Sequence, residues 1–441
     1  MNAEQSSAAR GCLLLVPLLA VAMLLTGCTG LPFVANKMDI VRVPGDAETI
    51  SQAMDRVASG GLVLVSPGSY PEEVTVDVPD VTLRGTDRNS VVIDGGGVRN
   101  FGVVVTASGV RVQNLTVHSS VFYGVLVTGA FDENGPIANT GHGYTGLDTE
   151  KFPPLERFAV QNVTAYNNAL YGIYAFNARH GSITDSYVSG SADSGIYVGQ
   201  CVGCNVLVTG NVAERNAIGF ENANASDSVL IAGNRFSGNR IGMTLISNYQ
   251  EAFTPQRANV VVGNLVSGNS NAQSPEHALG GFGIGVGING GKDNLLVDNR
   301  IENNPVAVLT LNNTEDISAT GNQIRGGTLI GNGVDYVDLS AARAPATDNC
   351  VTDTEVGTVS PEGLLTTCST GNGGAGSGKT ASVQVPPGVS FLTVPVPIDQ
   401  PGLAGDLEAV LDPLPAKLTL PEMTDFPLPG LDFLADRSGA R

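Results

Sequence analysis

Residues 171–176 read YGIYAF, 194–199 read SGIYVG, 218–223 read IGFENA and 241–246 read IGMTLI, and this recurrence decides the fold. The same pattern returns as FGIGVG at 282–287 and VAVLTL at 306–311, with an earlier copy, YGVLVT, at 123–128. Aligned on Gly172, Gly195, Gly219, Gly242, Gly283 and Ala307, the copies are 23, 24, 23, 41 and 24 residues apart. A near-constant period in this range is the mark of a solenoid. Each repeat holds three short runs of alternating apolar and polar residues, as in GIYVG, NVLVTG and VAERN, joined by Gly and Asn. Alternation of period two specifies strands, and Gly and Asn tolerate the left-handed backbone angles of tight turns. One repeat therefore makes one three-sided coil, stacked on the next at strand spacing. The expected fold class is all-β, a single-stranded parallel β-helix.

The alternation also assigns faces. Val125, Ile173, Ile196, Phe220, Met243, Ile284 and Val308 are expected to line one inward column. Leu126, Tyr174, Tyr197, Glu221, Thr244, Gly285 and Leu309 would point outward. One column of asparagines follows at Asn211, Asn234, Asn264, Asn299 and Asn322, and another at Asn216, Asn239, Asn269 and Asn304. Stacked asparagines share amide hydrogen bonds from coil to coil, so these columns are read as structural.

Before the repeats, residues 49–58 (TISQAMDRVA) have helical spacing and lead into VSPGSYPEEV at 65–74. An open solenoid end exposes apolar core and unpaired edges, so a cap is required. This cap and the segment after it resemble the pectin-lyase-like superfamily, over roughly residues 40–350. The resemblance implies a right-handed helix and is nearly silent on activity. It extends to β-helix lipoproteins carrying a similar SGIYVGQC-x-x-C coil, and to NosD-like periplasmic proteins tied to copper-enzyme maturation.

The chain has 441 residues with 56 glycines, no tryptophan, 15% charged residues and a net charge of −19. Such an acid excess repels phosphate backbones and argues against nucleic acid as a partner. Residues 11–25 are apolar but too short for a comfortable membrane span, and Leu25-Thr26-Gly27-Cys28 resembles a bacterial lipobox. The expectation is a signal peptide over 1–27, lipidation of Cys28, and an extracytoplasmic protein anchored to the cell membrane. Residues 28–45 then form a linker, 46–368 the β-helix with its caps, 369–380 a Gly/Ser-rich linker, and 381–441 a Pro-rich, extended and largely disordered tail with a short helix near Leu403–Leu411. With Cys12 removed and Cys28 lipidated, Cys201, Cys204, Cys350 and Cys368 remain for an oxidising compartment. Three connectivities are open, and proximity favours Cys201–Cys204 and Cys350–Cys368. A monomer is expected.

Three segments break the period. Residues 130–158 and 247–258 leave from one corner of the coil, and 270–281 from another. Long loops on a rigid scaffold are where sites are built. Between the first two, the candidate groove presents Arg179, His180, Asn222 and Asn224 beside Tyr174, Tyr197 and Glu221. Aromatic rings next to amides and carboxylates suit a sugar, so Tyr174, Tyr197, Glu221, Asn222 and Arg179 are the candidate binding residues for polysaccharide or envelope glycan. Two stacked tyrosines that simply stiffen the sheet would give the same sequence pattern.

Catalytic motifs of β-helix enzymes are not matched. Where alginate epimerases and lyases carry Y-G-[FI]-D-P-H-[DE], this chain has Tyr174 for the aspartate and Phe176 for the histidine. Gly141-His142-Gly143 resembles the last of the polygalacturonase motifs without its partners. Glu221, His180 and Arg179 are the candidate acid/base groups of a polysaccharide lyase, C5-epimerase or hydrolase with nonstandard residues. No cofactor is expected; calcium at Asp132, Glu133, Asp148 and Glu150 is an open option. No metal residue is assigned, and Cys201-Val-Gly-Cys204 with His180 is the ligand set that a NosD-like copper role would need.

Overall fold

Main-chain pairing brings Val125, Ile173, Ile196, Phe220, Met243, Val286 and Val308 into one vertical register. All seven are essentially without solvent exposure. The computed structural model describes residues 37–137, 146–248, 251–312, 316–364, 366–368 and 376–439. Among them, three parallel sheets of 13, 12 and 10 strands form the sides of a prism, with one strand of each sheet per coil. The solenoid is thus a parallel β-helix with the apolar column at its centre. Cys28, the signal segment and Gly141–Gly143 lie outside the described residues, as does most of the 369–380 linker.

One position in the inward column differs from the sequence reading. Ile284 pairs with Ile241 and Val306, and Val286 takes the inward place beside Met243. The motif at 282–287 contains three glycines two residues apart, so alignment on Gly283 chose a neighbouring phase. The glycine that continues the column is Gly285. A Cβ on Gly242 would stand 2.6 Å from the Gly285 carbonyl oxygen, and one on Gly285 2.6 Å from that of Ala307, which is why this column stays small. The outward column consequently runs through Gly287, not Gly285.

Asparagine ladders run along the corners. Asn211, Asn234, Asn264 and Asn299 bond amide to amide at 2.9–3.0 Å. Asn216, Asn239, Asn269 and Asn304 do the same at 3.1–3.2 Å. Asn322 belongs to a third ladder, between Asn294 and Asn349. Its spacing from Asn299 mimicked the first ladder because the coil after Asn299 places Gly327 at that corner.

The N-terminal helix is shorter than its apolar spacing predicts. It spans Ile50–Met54, with Thr49 capping it by accepting from the Gln52 N–H and with Ile50, Ala53 and Met54 buried on the first coil. Val57 is already in a strand, because Val57–Val65 pairs with Met38–Val43. That first strand lies where the sequence suggested linker, so the β-helix begins at residue 38. At the other end, Cys350–Cys368 ties the last coils, and Cys201–Cys204 closes within one corner. No helix of the described residues is long and apolar enough to cross a membrane.

The tail departs most from expectation. Residues 381–439 run extended along the outside of the prism, where composition suggested disorder. Ten prolines between 386 and 429 remove backbone donors and leave carbonyls without partners of their own. The body supplies the missing donors. Arg84 donates to the carbonyls of Leu407 and Ala409 (2.8 and 3.0 Å), Arg88 to Pro401 (2.8 Å), Arg111 to Asp412 (2.7 Å), Arg240 to Pro386 (2.6 Å) and Arg300 to Pro429 (2.7 Å). Asn167 and Asn205 serve Val394 and Leu418. Leu420 and Phe426 pack on Leu230, Ala232 and Val262. The expected helix near Leu403–Leu411 is absent for the same reason: Arg84 takes the carbonyls that a helical turn would use.

Candidate functional site

The outward face of the 12-stranded sheet has two regions. Over the earlier coils it carries an aromatic cluster. Tyr123, Tyr171, Tyr174, Phe176 and Tyr197 are all buried, with Phe152 from the 130–158 loop packed on them. Tyr171 and Tyr174 stack at 4.2 Å, and Tyr174 and Tyr197 meet at 4.5 Å. The ring faces proposed for a sugar are occupied by one another and by the loop, since aromatic pairs gain from such contact beyond their area. Burial also raises the Tyr123 and Tyr171 phenols above their usual range.

Other expected site residues separate in the structure. Asn222 points inward, fully buried. It donates to the Val198 carbonyl and accepts from Gln256 and Asn259. Asn224 secures the 247–258 loop by donating to the Asn248 and Ala252 carbonyls. Arg179 pairs with Glu156 at 2.6 Å, and the His180 ring lies between Glu156 and Asn205. His180 is engaged by Glu156 and Asn205, and Glu221 by Ser194, so the two do not meet as an acid/base pair. The Cys201–Cys204 disulfide occupies both sulfurs and leaves no thiolates for a soft metal. Asp132 pairs with Lys151 at 3.4 Å. Among the described residues, no group of three or more His, Cys, Asp or Glu side chains is placed to hold a metal ion.

Of the expected set, Glu221 faces a cavity. It lies where the outward column passes from aromatic to open, beneath a pocket of about 630 Å³. Asn248 and Glu251 close one side, and loop 270–283 closes the other. Ile218, Ile241, Ile284 and Leu309 supply apolar walls, while Asp193, Glu251, His277, Thr244, Asn248 and Asn289 supply polar groups. Loops from both corners flank this face, whereas the sequence reading joined only loops that share a corner.

The charged groups are connected. Ser194 Oγ lies 2.8 Å from Glu221 Oε2 and 3.2 Å from Asp193 Oδ1. His277 Nε2 lies 3.5 Å from the same Asp193 oxygen. The Leu279 N–H donates to His277 Nδ1 at 3.2 Å, which leaves Nε2 to carry the proton facing Asp193. Desolvation first, and then the charge of Asp193, push the Glu221 carboxyl up to about 8, against the opposing effects of His277 and Ser194. For His277, burial works against the imidazolium, but the Asp193 hydrogen bond and the charges of Asp193 and Glu221 outweigh it and raise the pKa above its ordinary value. A hydroxyl has one proton, so Ser194 can donate to only one carboxylate at a time. With Glu221 protonated, a chain runs from Glu221 through Ser194 to Asp193 and back to His277. On two of the pocket residues, Thr244 Oγ1 and Asn289 Oδ1 are buried without a hydrogen-bond partner in the protein.

Sequence reasoning missed Asp193, Ser194 and His277. Asp193 ends an ordinary turn and Ser194 opens the SGIYVG strand that follows it. His277 was visible as one of four histidines, in a loop already noted as irregular, but nothing in sequence shows that it reaches back across three coils.

Residues 154–324 match the family described as right handed beta helix region, in agreement with the strand geometry. The fold is therefore a right-handed, single-stranded parallel β-helix. Similar solved structures include the A-module of the mannuronan C-5 epimerase AlgE4 of Azotobacter vinelandii (15% identity, 76% of this chain and 97% of that one, TM-score 0.43). Pectate lyase Pel9A is also similar (15% identity, 76% and 82%, TM-score 0.41). So is the catalytic unit of a thermostable GH87 alpha-1,3-glucanase from Streptomyces thermodiastaticus (13% identity, 76% and 68%, TM-score 0.44). No curated protein matches the sequence.

Proposed function

We propose that this chain is an extracytoplasmic, lipid-anchored glycan-active protein whose site is the pocket over Glu221. The observation that carries the reading is Glu221 itself, a carboxyl raised to about 8 at the floor of an open pocket and joined through Ser194 to the Asp193–His277 pair. A carboxylic acid that stays protonated near neutral pH is suited to donate a proton to a leaving oxygen. The Asp193–His277 pair adjoins Glu221 through Ser194, whose hydroxyl can turn from Asp193 to the Glu221 carboxylate once the proton has been given up. The polar residues lining the pocket, Thr244, Asn248 and Asn289, suit sugar hydroxyls, and the aliphatic walls suit the C–H faces of sugar rings.

Incubation with a panel of uronate polymers, glucans and cell-envelope polysaccharides tests this reading. Binding, with release of reducing ends or unsaturated product, is expected for at least one polymer, and product release should be lost in Glu221→Gln. Absence of both binding and product across the panel would reject it. Binding that persists with no product and is unaffected by Glu221→Gln would leave a lectin-like protein and remove the acid/base role.

A further inference from the structure

Loop 270–283 brings His277 to the pocket, yet its own chain gives it little rigidity. Gly280, Gly281 and Gly283 all sit at positive φ, and Leu279 at its tip is 87% exposed. What holds it is the beginning of the C-terminal tail. The Gly388 N–H donates to Glu276 Oε2 at 3.2 Å, and the Val389 N–H to the Ser274 carbonyl at 3.2 Å. Arg240 binds both parts: it donates to the Pro386 carbonyl at 2.6 Å and lies 4.9 Å from the centre of the Phe282 ring. Upstream, Ala381 and Val383 pack against the cluster of Val306, Leu309, Val334 and Val337, of which Leu309 also lines the pocket.

We infer that residues 381–389 are a structural part of the site, a strap that positions His277 against Asp193. The inference rests on the pocket over Glu221 being the functional site. It adds that the pocket is complete only while the tail is docked, through contacts made by Pro386, Gly388 and Val389. The groups facing the imidazole and its loop are Asp193 and Glu221 from the sheet, Glu251 from the opposite loop, and Glu276 and Arg240 at the strap.

The test is a histidine titration by NMR on the full chain, with the His277 resonance assigned by its loss in His277→Gln. A Cβ added at Gly388 would stand 2.4 Å from the Glu276 backbone nitrogen and 2.9 Å from its Cα, so Gly388→Ala should lift the strap from the loop without touching the pocket. Arg240→Lys loosens the same junction at Pro386, and decides the matter should Gly388→Ala fail to fold. Either variant is expected to lower the His277 midpoint by about half a pH unit or more as its contact with Asp193 weakens. His118, elsewhere on the prism, should titrate as in the parent. A His277 midpoint unchanged in both variants, or one that moves together with His118, would overturn the inference. The readout involves no ligand, so its outcome is independent of whether the pocket takes a glycan.

Discussion

His277 Nε2 stands 3.5 Å from Asp193 Oδ1, joining a loop to a turn three coils away. At strand spacing that is about 14 Å along the prism. The pairing exists because one loop folds back over the outward face, and it places an imidazole beside two carboxyl groups. Glu221 holds its proton because burial and the charge of Asp193 outweigh the opposing influence of His277.

Glu221→Gln should change the pH dependence of stability. The carboxyl has its ordinary value of 4.5 in the unfolded chain and about 8 in the folded one. Between these values the native state binds more protons than the unfolded state, so this group's contribution falls as pH rises through that window. His277, raised above its ordinary 6.5, acts in the same direction over the upper part of it. Thermal melts of the parent should decline from about pH 5 to 8, with a visibly flatter profile in Glu221→Gln. Equal slopes in the two proteins would show that Glu221 is not raised.

Tyr197→Ala should cost stability and leave ligand contacts alone. Tyr197 is 2% exposed and packed against Tyr174 and Tyr171. Truncation of a buried aromatic of this kind costs about 3 kcal/mol or more. Chemical denaturation should show that loss, while binding to any glycan taken by the parent stays within about twofold once the variant is folded. A selective loss of binding at full stability would return the site to the tyrosine face.

Arg88→Ala should release part of the tail. The side chain is 1% exposed and donates to Pro401, Val163, Asp185 and Thr164. Its removal leaves buried carbonyls unsatisfied, at about 1–3 kcal/mol for each such group. Limited proteolysis should cut between 381 and 439 well before the parent is cut there, with the β-helix left intact. Identical cleavage kinetics would mean that the arginine contacts do not hold the tail.

Cys28→Ala should remove the lipid. Metabolic labelling with a fatty acid in a bacterial host is expected to mark the parent and not the variant, which should leave the membrane fraction. Label retained in Cys28→Ala would place the modification elsewhere or reject the anchor.

The repeat was legible because coil geometry enforces it: a residue out of phase at Ile196 or Phe220 would bury a polar group or expose an apolar one. The disulfides could be paired from proximity. The register at Gly285 was ambiguous because three glycines in six residues fit two phases. The tail was misjudged because composition measures what a segment can do alone, and this one is ordered by donors at Arg84, Arg88 and Arg240, far away in sequence. The site was half legible. Alternation placed Glu221 on the outward face, but the link to His277 depends on how a loop folds, and the tyrosines looked available only because their burial under Phe152 and one another leaves no local pattern.

The most direct test is the protonation of Glu221, followed by carboxyl-carbon NMR on glutamate-labelled protein, with the signal identified by its absence in Glu221→Gln. We expect a midpoint near 8. A midpoint in the ordinary glutamate range, near 4.5, would contradict the proton-donor role and the site built around it.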